Sequence, residues 1–171
     1  SEDPFPLPYR EHSVSPVESG SVTPPTNFDP LSPNKRYLKE TNGLPSQQIR
    51  DAVMEEDGTL WLSTLEGLVR YDGKNHRLWI FDQLSSPTFI HWEQMQDGWL
   101  WGGQENVPDL LAFDGSRLRV YPMDSIRALG ENWQSYSSSG QRFLINDEQV
   151  FYFDGKLMWV FPKPENYDKT Y

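Results

Sequence analysis

The stretch Asp57-Gly58-Thr59-Leu60-Trp61-Leu62-Ser63-Thr64, followed by Tyr71-Asp72-Gly73 and then Leu78-Trp79-Ile80-Phe81, decides the fold. An Asp-Gly pair beside a short aromatic or aliphatic run marks a hairpin turn next to a strand, because Gly supplies the positive φ that tight turns demand and Asp is a turn former. The same order returns as Asp97-Gly98-Trp99-Leu100-Trp101, Phe113-Asp114-Gly115 and Leu118-Arg119-Val120-Tyr121. A third, more worn copy reads Gly140-Gln141-Arg142-Phe143, Phe153-Asp154-Gly155 and Met158-Trp159-Val160-Phe161. The aromatic-Asp-Gly element begins at 71, 113 and 153, giving spacings of 113 − 71 = 42 and 153 − 113 = 40 residues.

Each copy holds four strand candidates, at residues 49–54, 60–63, 68–72 and 78–81 in the first. Four strands per forty-odd residues is the texture of a propeller blade. The expected fold is therefore all-β and β-propeller-type, with about three four-stranded antiparallel blades at approximately 43–83, 84–123 and 124–163. Helix should be scarce. A closed propeller has roughly four to eight blades, so three units imply a partial propeller or a ring completed by oligomerisation. Tyr37-Leu38-Lys39 aligns with the fourth strand of a preceding blade, as a cut chain or a strand-exchanging ring would contain. The turn aspartates read as turn formers, and Trp61, Trp79, Trp101, Phe143 and Trp159 as packing between strands.

Residues 1–35 differ in texture. Residues 1 to 33 hold eight of the fourteen prolines, with Ser, Thr and Glu and no apolar period, which predicts an extended or disordered arm. Phe5, Leu7, Tyr9 and Phe28 could anchor it. Residues 164–171 form a short polar tail. The chain begins with Ser rather than Met, which suggests a processed chain or an excised piece of a longer one.

Composition bounds the partners. Fifteen Lys and Arg against twenty-five Asp and Glu give 15 − 25 = −10, which repels phosphate backbones and anionic lipid surfaces, so neither nucleic acid nor direct membrane insertion is expected. Cys is absent, which removes disulfide scaffolds, zinc ribbons and thiol nucleophiles. His12, His76 and His91 lie in the arm, a predicted hairpin turn and an inner strand, without metal-ligand spacing. No catalytic residue, metal site or cofactor is expected. Ser135, Ser137, Ser138 and Ser139 lack a matched base, and Glu55-Glu56 reads as a solvated turn.

The run from Gly43-Leu44-Pro45-Ser46-Gln47-Gln48-Ile49 through Glu55-Glu56-Asp57-Gly58-Thr59-Leu60-Trp61-Leu62-Ser63-Thr64 to Gly67-Leu68-Val69-Arg70-Tyr71-Asp72 resembles the two-component-regulator propeller repeat. The second copy shares the Asp-Gly-x-Leu-Trp core but has Gly102-Gly103 where that family favours a small residue and Thr, and Pro108-Asp109-Leu110-Leu111 in place of its Gly-Leu pair. The resemblance covers residues 43–163. It implies a periplasmic or extracellular β-propeller, of the kind found in sensor regions of bacterial two-component-type signalling proteins. Such propellers help to sense ligands such as glycans.

Blade topology places the loop entering each inner strand and the loop between the second and third strands on one face, opposite the Asp-Gly turns. That face carries Gln47, Gln48, Thr64 and Glu66 in the first copy and Thr88, Gln104, Glu105 and Asn106 in the second, with Asn132 from the third. Arg50, His91, Trp92, Trp133 and Tyr136 come from inner strands. Amides, carboxylates and aromatic rings suit a polar small molecule or a glycan, since hydroxyls pair with the former and CH patches stack on the latter. The expected ligand-binding residues are Gln47, Gln48, Arg50, Glu66, His91, Trp92, Gln104, Glu105 and Trp133. The expected function is a non-enzymatic sensor module of a signalling protein, which self-associates or joins the remaining blades of a longer chain. Two alternatives stand beside it: a propeller lyase or hydrolase using Glu66, Glu105 or His91 as acid or base, and a structural, partner-binding propeller fragment.

Overall fold

The computed structural model describes residues 2–23, 42–46, 48–85, 87, 90–104, 107, 109–123, 134–138 and 141–163. Among these the chain is all-β, with no α-helix. The first repeat folds as β4 (Ile49–Met54), β5 (Leu60–Thr64), β6 (Leu68–Tyr71) and β7 (Asn75–Trp79). The second gives β8 (Ile90–Gln96), β9 (Trp99–Gln104), β10 (Leu110–Phe113) and β11 (Arg117–Tyr121). The third gives β12 (Gln134–Ser138), β13 (Gln141–Ile145), β14 (Gln149–Phe153) and β15 (Leu157–Pro162). Each repeat is an antiparallel meander whose consecutive strands pair. Tyr37-Leu38-Lys39 and the tail 164–171 lie outside the described residues.

The turns explain the registers. Asp72 Oδ1 accepts the amides of Lys74 and Asn75, Asp114 Oδ1 those of Ser116 and Arg117, and Asp154 Oδ1 those of Lys156 and Leu157. Gly73, Gly115 and Gly155 follow with φ between 93° and 95°. Because the Asp72 turn is this tight, with Asp72 N donating to Asn75 O, the fourth strand starts at Asn75 and ends at Trp79 rather than spanning 78–81. His76 consequently sits inside β7 and is buried, not in a turn.

Residues 2–21 of the arm hold three short strands. β1 (Glu2–Pro6), β2 (Arg10–Ser13) and β3 (Glu18–Ser21) add a fifth strand to the outer edge of three different sheets, whose orders are β1-β15-β14-β13-β12, β2-β11-β10-β9-β8 and β3-β7-β6-β5-β4. An edge strand bonds along one side only, so prolines such as Pro4 and Pro6 are tolerated there. Side chains give the arm little pattern to read, since β2 and β3 are mostly exposed. Leu7 and Val22 are its buried anchors.

The chain divides into two compact units, Glu11–Arg119 and Ser1–Arg10 with Val120–Tyr171. In the first, the core gathers around Phe113, which is wholly buried. Its ring lies 5.7 Å from Trp61, 5.5 Å from Trp79, 5.1 Å from Phe81 and 6.2 Å from Trp92. These tilted and edge-on pairs join the first-repeat sheet to the second. Gly102 makes the room: a Cβ there would stand 2.7 Å from Cε3 of Trp92 and 2.4 Å from the carbonyl oxygen of His91. In the other unit, Leu144, Phe151, Phe153, Met158 and Val160 are buried. Tyr121 bridges Phe153 at 5.5 Å and Tyr9 of the arm at 5.2 Å.

Candidate functional site: the cleft along the inner strands

Strands β4 and β8, the first strands of consecutive repeats, lie beside one another. Ser63 Oγ donates to the carbonyl of Ile90 at 2.6 Å, a buried hydrogen bond, and His91 Nδ1 lies 2.7 Å from Asp51 Oδ2 at a half-exposed position. The first contact ties β5 to the start of β8, and the second ties β4 to it. Toward the Asp-Gly turns the strands leave a cleft of about 720 Å³ between them.

Ala52, Met54, Glu56, Glu93, Met95 and Asp97 are among its lining residues. Two further acids on the rim are committed elsewhere. Glu55 Oε1 accepts from Trp61 Nε1 at 2.6 Å and from Arg70 Nε at 3.2 Å. Asp57 Oδ1 accepts the Thr59 amide at 2.9 Å, and that hydrogen bond, with one from the Thr59 side chain, holds its carboxyl below the ordinary 3.8. Glu56 and Asp97 are exposed, and Met54 is the most exposed large apolar residue described, at 69%. Asp97 and Gly98 both have positive φ, at 52° and 77°, the backbone that a two-residue hairpin needs. The cleft thus offers carboxylate acceptors beside flexible thioether side chains. Hydroxyl or ammonium donors and apolar CH groups match that lining.

The residues singled out from the sequence are dispersed. Gln48, Arg50 and Glu66 are exposed, and Arg50 lies on β4. His91 is exposed and engaged with Asp51. Trp92 is 3% exposed with its ring 5.8 Å from Phe81, so it serves the core and offers no stacking face. Gln104 is also buried, and its Oε1 accepts from Ser85 Oγ at 3.4 Å. Gln47, Thr88, Glu105, Asn106, Asn132 and Trp133 lie outside the described residues, as does the side chain of Tyr136. Trp61, Trp79 and Trp101 are buried, as packing residues should be.

The cleft residues themselves were not singled out. Glu93 and Met95 both line the cleft, but the register shift between Trp92 and Gln94 breaks the simple alternation that would have announced them. Among the described residues no cluster of His, Cys, Asp and Glu could hold a metal ion, and no helix is long and apolar enough to cross a membrane. No family model matches the chain and no curated protein or solved structure is detectably similar to it, so the likeness to the propeller repeat rests on the residues quoted above.

Proposed function

We propose that this chain is a non-enzymatic recognition module, the ligand-sensing part of a bacterial two-component-type signalling protein, and that its repeats are blades of a propeller. The observation that carries the reading is the cleft of about 720 Å³ between β4 and β8, whose volume falls in the range of small-molecule sites. Its lining suits a polar ligand such as a glycan: Glu56 and Asp97 accept from hydroxyls, and Met54 and Met95 cover CH patches. On this reading recognition lies at the Asp-Gly-turn end of β4 and β8 rather than at the opposite loops. The propeller reading draws on the forty-residue repeat, with further blades or further copies completing the ring outside the cell's inner membrane.

Titration calorimetry of the full chain against neutral and amino-substituted oligosaccharides tests the site. Saturable binding is expected, weakened about tenfold or more by Glu56→Ala with Met95→Ala, as removal of one acceptor and one apolar contact implies. Binding unchanged in that double variant would remove the cleft as the site. Solution mass by light scattering tests the ring: a closed oligomer supports completion by symmetry.

A further inference from the structure

A row of paired residues runs inward from the β3 edge of the first-repeat sheet: Ser19 on β3 faces Arg77 on β7, which faces Arg70 on β6, which faces Trp61 on β5. Directly opposed residues of antiparallel strands project from the same face, so both arginine side chains rise from one face of the sheet. Like charges so placed destabilise a sheet unless an anion lies between or beside them. Arg70 has its anion, Glu55, bound through Nε at 3.2 Å, and its guanidinium carbon lies 5.7 Å from the Trp61 ring. Arg77 has none: it is exposed, and among the described residues its side chain makes no ion pair or hydrogen bond.

The two arginines line a groove of about 390 Å³, together with Ser19, Ser21, Asn75 and Asp72. Two hydroxyls and an amide therefore surround the unpaired guanidinium. Asp72 is the one acid of the lining, and its Oδ1 is taken by the amides of Lys74 and Asn75, which hold its carboxyl below the usual range. A protein of net charge −10 otherwise disfavours anions over its surface, so a concave patch with an unneutralised arginine is a local exception.

We propose that this groove binds a compact oxyanion, the carboxylate of an acidic saccharide or a phosphate group, in a fork from Arg77 completed by Ser19, Ser21 and Asn75. The guanidinium supplies two parallel N–H donors, the geometry that carboxylate and phosphate share. Because Ser19 and Ser21 belong to the arm, the site exists only while β3 is paired with β7, and the ligand stabilises that pairing by binding it selectively. This site is separate from the cleft between β4 and β8.

The test is titration calorimetry of the full chain with inorganic phosphate and, separately, with glucuronate, glucose serving as the uncharged control. Saturable binding of at least one anion and none of glucose is expected, with affinity lowered at least about tenfold in Arg77→Gln and kept in Arg117→Gln, whose arginine pairs with Asp114 elsewhere. Phosphate alone points to phosphate esters, glucuronate alone to acidic saccharides. Amide resonances of Ser19, Ser21 and Asn75 in the unaltered chain provide a readout independent of any variant's folding, and these should shift on titration. Absence of saturable binding by both anions, equal affinity in Arg77→Gln, or binding that leaves those amides unmoved overturns the proposal.

Discussion

The Nε2 atom of His76 lies 3.0 Å from Oε1 of Glu18, while Cε1 of the same ring occupies the space that a side chain at Gly20 would take. One buried imidazole on β7 thus meets two residues of β3, Glu18 and Gly20, and Gly20 is its direct cross-strand partner. A Cβ at Gly20 would come within 2.8 Å of that ring carbon. Gly20→Ala should therefore loosen the arm by about 1–3 kcal/mol, the usual cost of overpacking. Hydrogen exchange checks this: the amides of 18–21 should exchange faster in the variant while those of β5 and β6 keep their protection.

Phe113 is the ring on which four others converge, and its loss should be felt throughout the Glu11–Arg119 unit. Phe113→Ala removes a fully buried aromatic. The expected destabilisation is about 3–5 kcal/mol, with Phe113→Leu costing less. Urea unfolding followed by tryptophan fluorescence would measure both, since Trp61, Trp79 and Trp92 all border the site.

Glu55 serves two donors at once, the indole of Trp61 and the guanidinium of Arg70. Glu55→Ala leaves the Trp61 indole nitrogen without that acceptor, and Trp61 is 4% exposed. The expected cost is about 1–3 kcal/mol, most of it the desolvated N–H, and Glu55→Gln should recover part of it because an amide oxygen still accepts. Denaturant midpoints of the three proteins decide the order.

Acid should weaken the hairpins. At Asp114 and Asp154 partial burial pushes the carboxyl up, but the amides of Ser116 and Arg117, and of Leu157 and Lys156, outweigh it and leave both below 3.8. At Asp72 the amides of Asn75 and Lys74 act in the same direction. A folded value below the unfolded one gives stability that is complete above the unfolded value and lost as pH falls through the folded one. Thermal melts should therefore decline below about pH 4. The turn at Asn146 shows what a neutral substitute does, since its Oδ1 accepts the amides of Glu148 and Gln149 without any charge. Asp114→Asn and Asp154→Asn should fold and show a shallower acid decline; an unchanged slope would mean that other carboxylates govern it.

The repeat was legible because its turns are written in side chains. Asp-Gly pairs fix where strands begin, and the aromatic and aliphatic runs between them mark the strands, so three meanders follow from the residues alone. The fourth strand of the first repeat was displaced because the tight turn closes at Asn75, ahead of the apolar run. The arm was harder to read, since backbone groups of β7, β11 and β15 recruit β1, β2 and β3 and those groups are the same in every sequence. Trp92 illustrates a further ambiguity: an aromatic on an inner strand can face ligand or core, and the missing side chain at Gly102 settles it for the core. The cleft and the groove are both meetings of separate segments, Met54 with Met95 and Ser19 with Arg77, which no local pattern announces.

The arm pairs with the three sheets in reverse of the order in which their strands follow along the chain: β1 joins the last, β2 the middle and β3 the first. Glu2 consequently faces Val160. During synthesis the first strand to emerge is the last whose partner exists, and it must stay unpaired while three meanders form behind it. Such a distant pairing closes slowly. A nascent chain of this protein acquires its three sheets one by one, and the early-made strands fasten them in sequence from β3 back to β1, so that final maturation is a zippering toward the amino terminus after translation has passed β15.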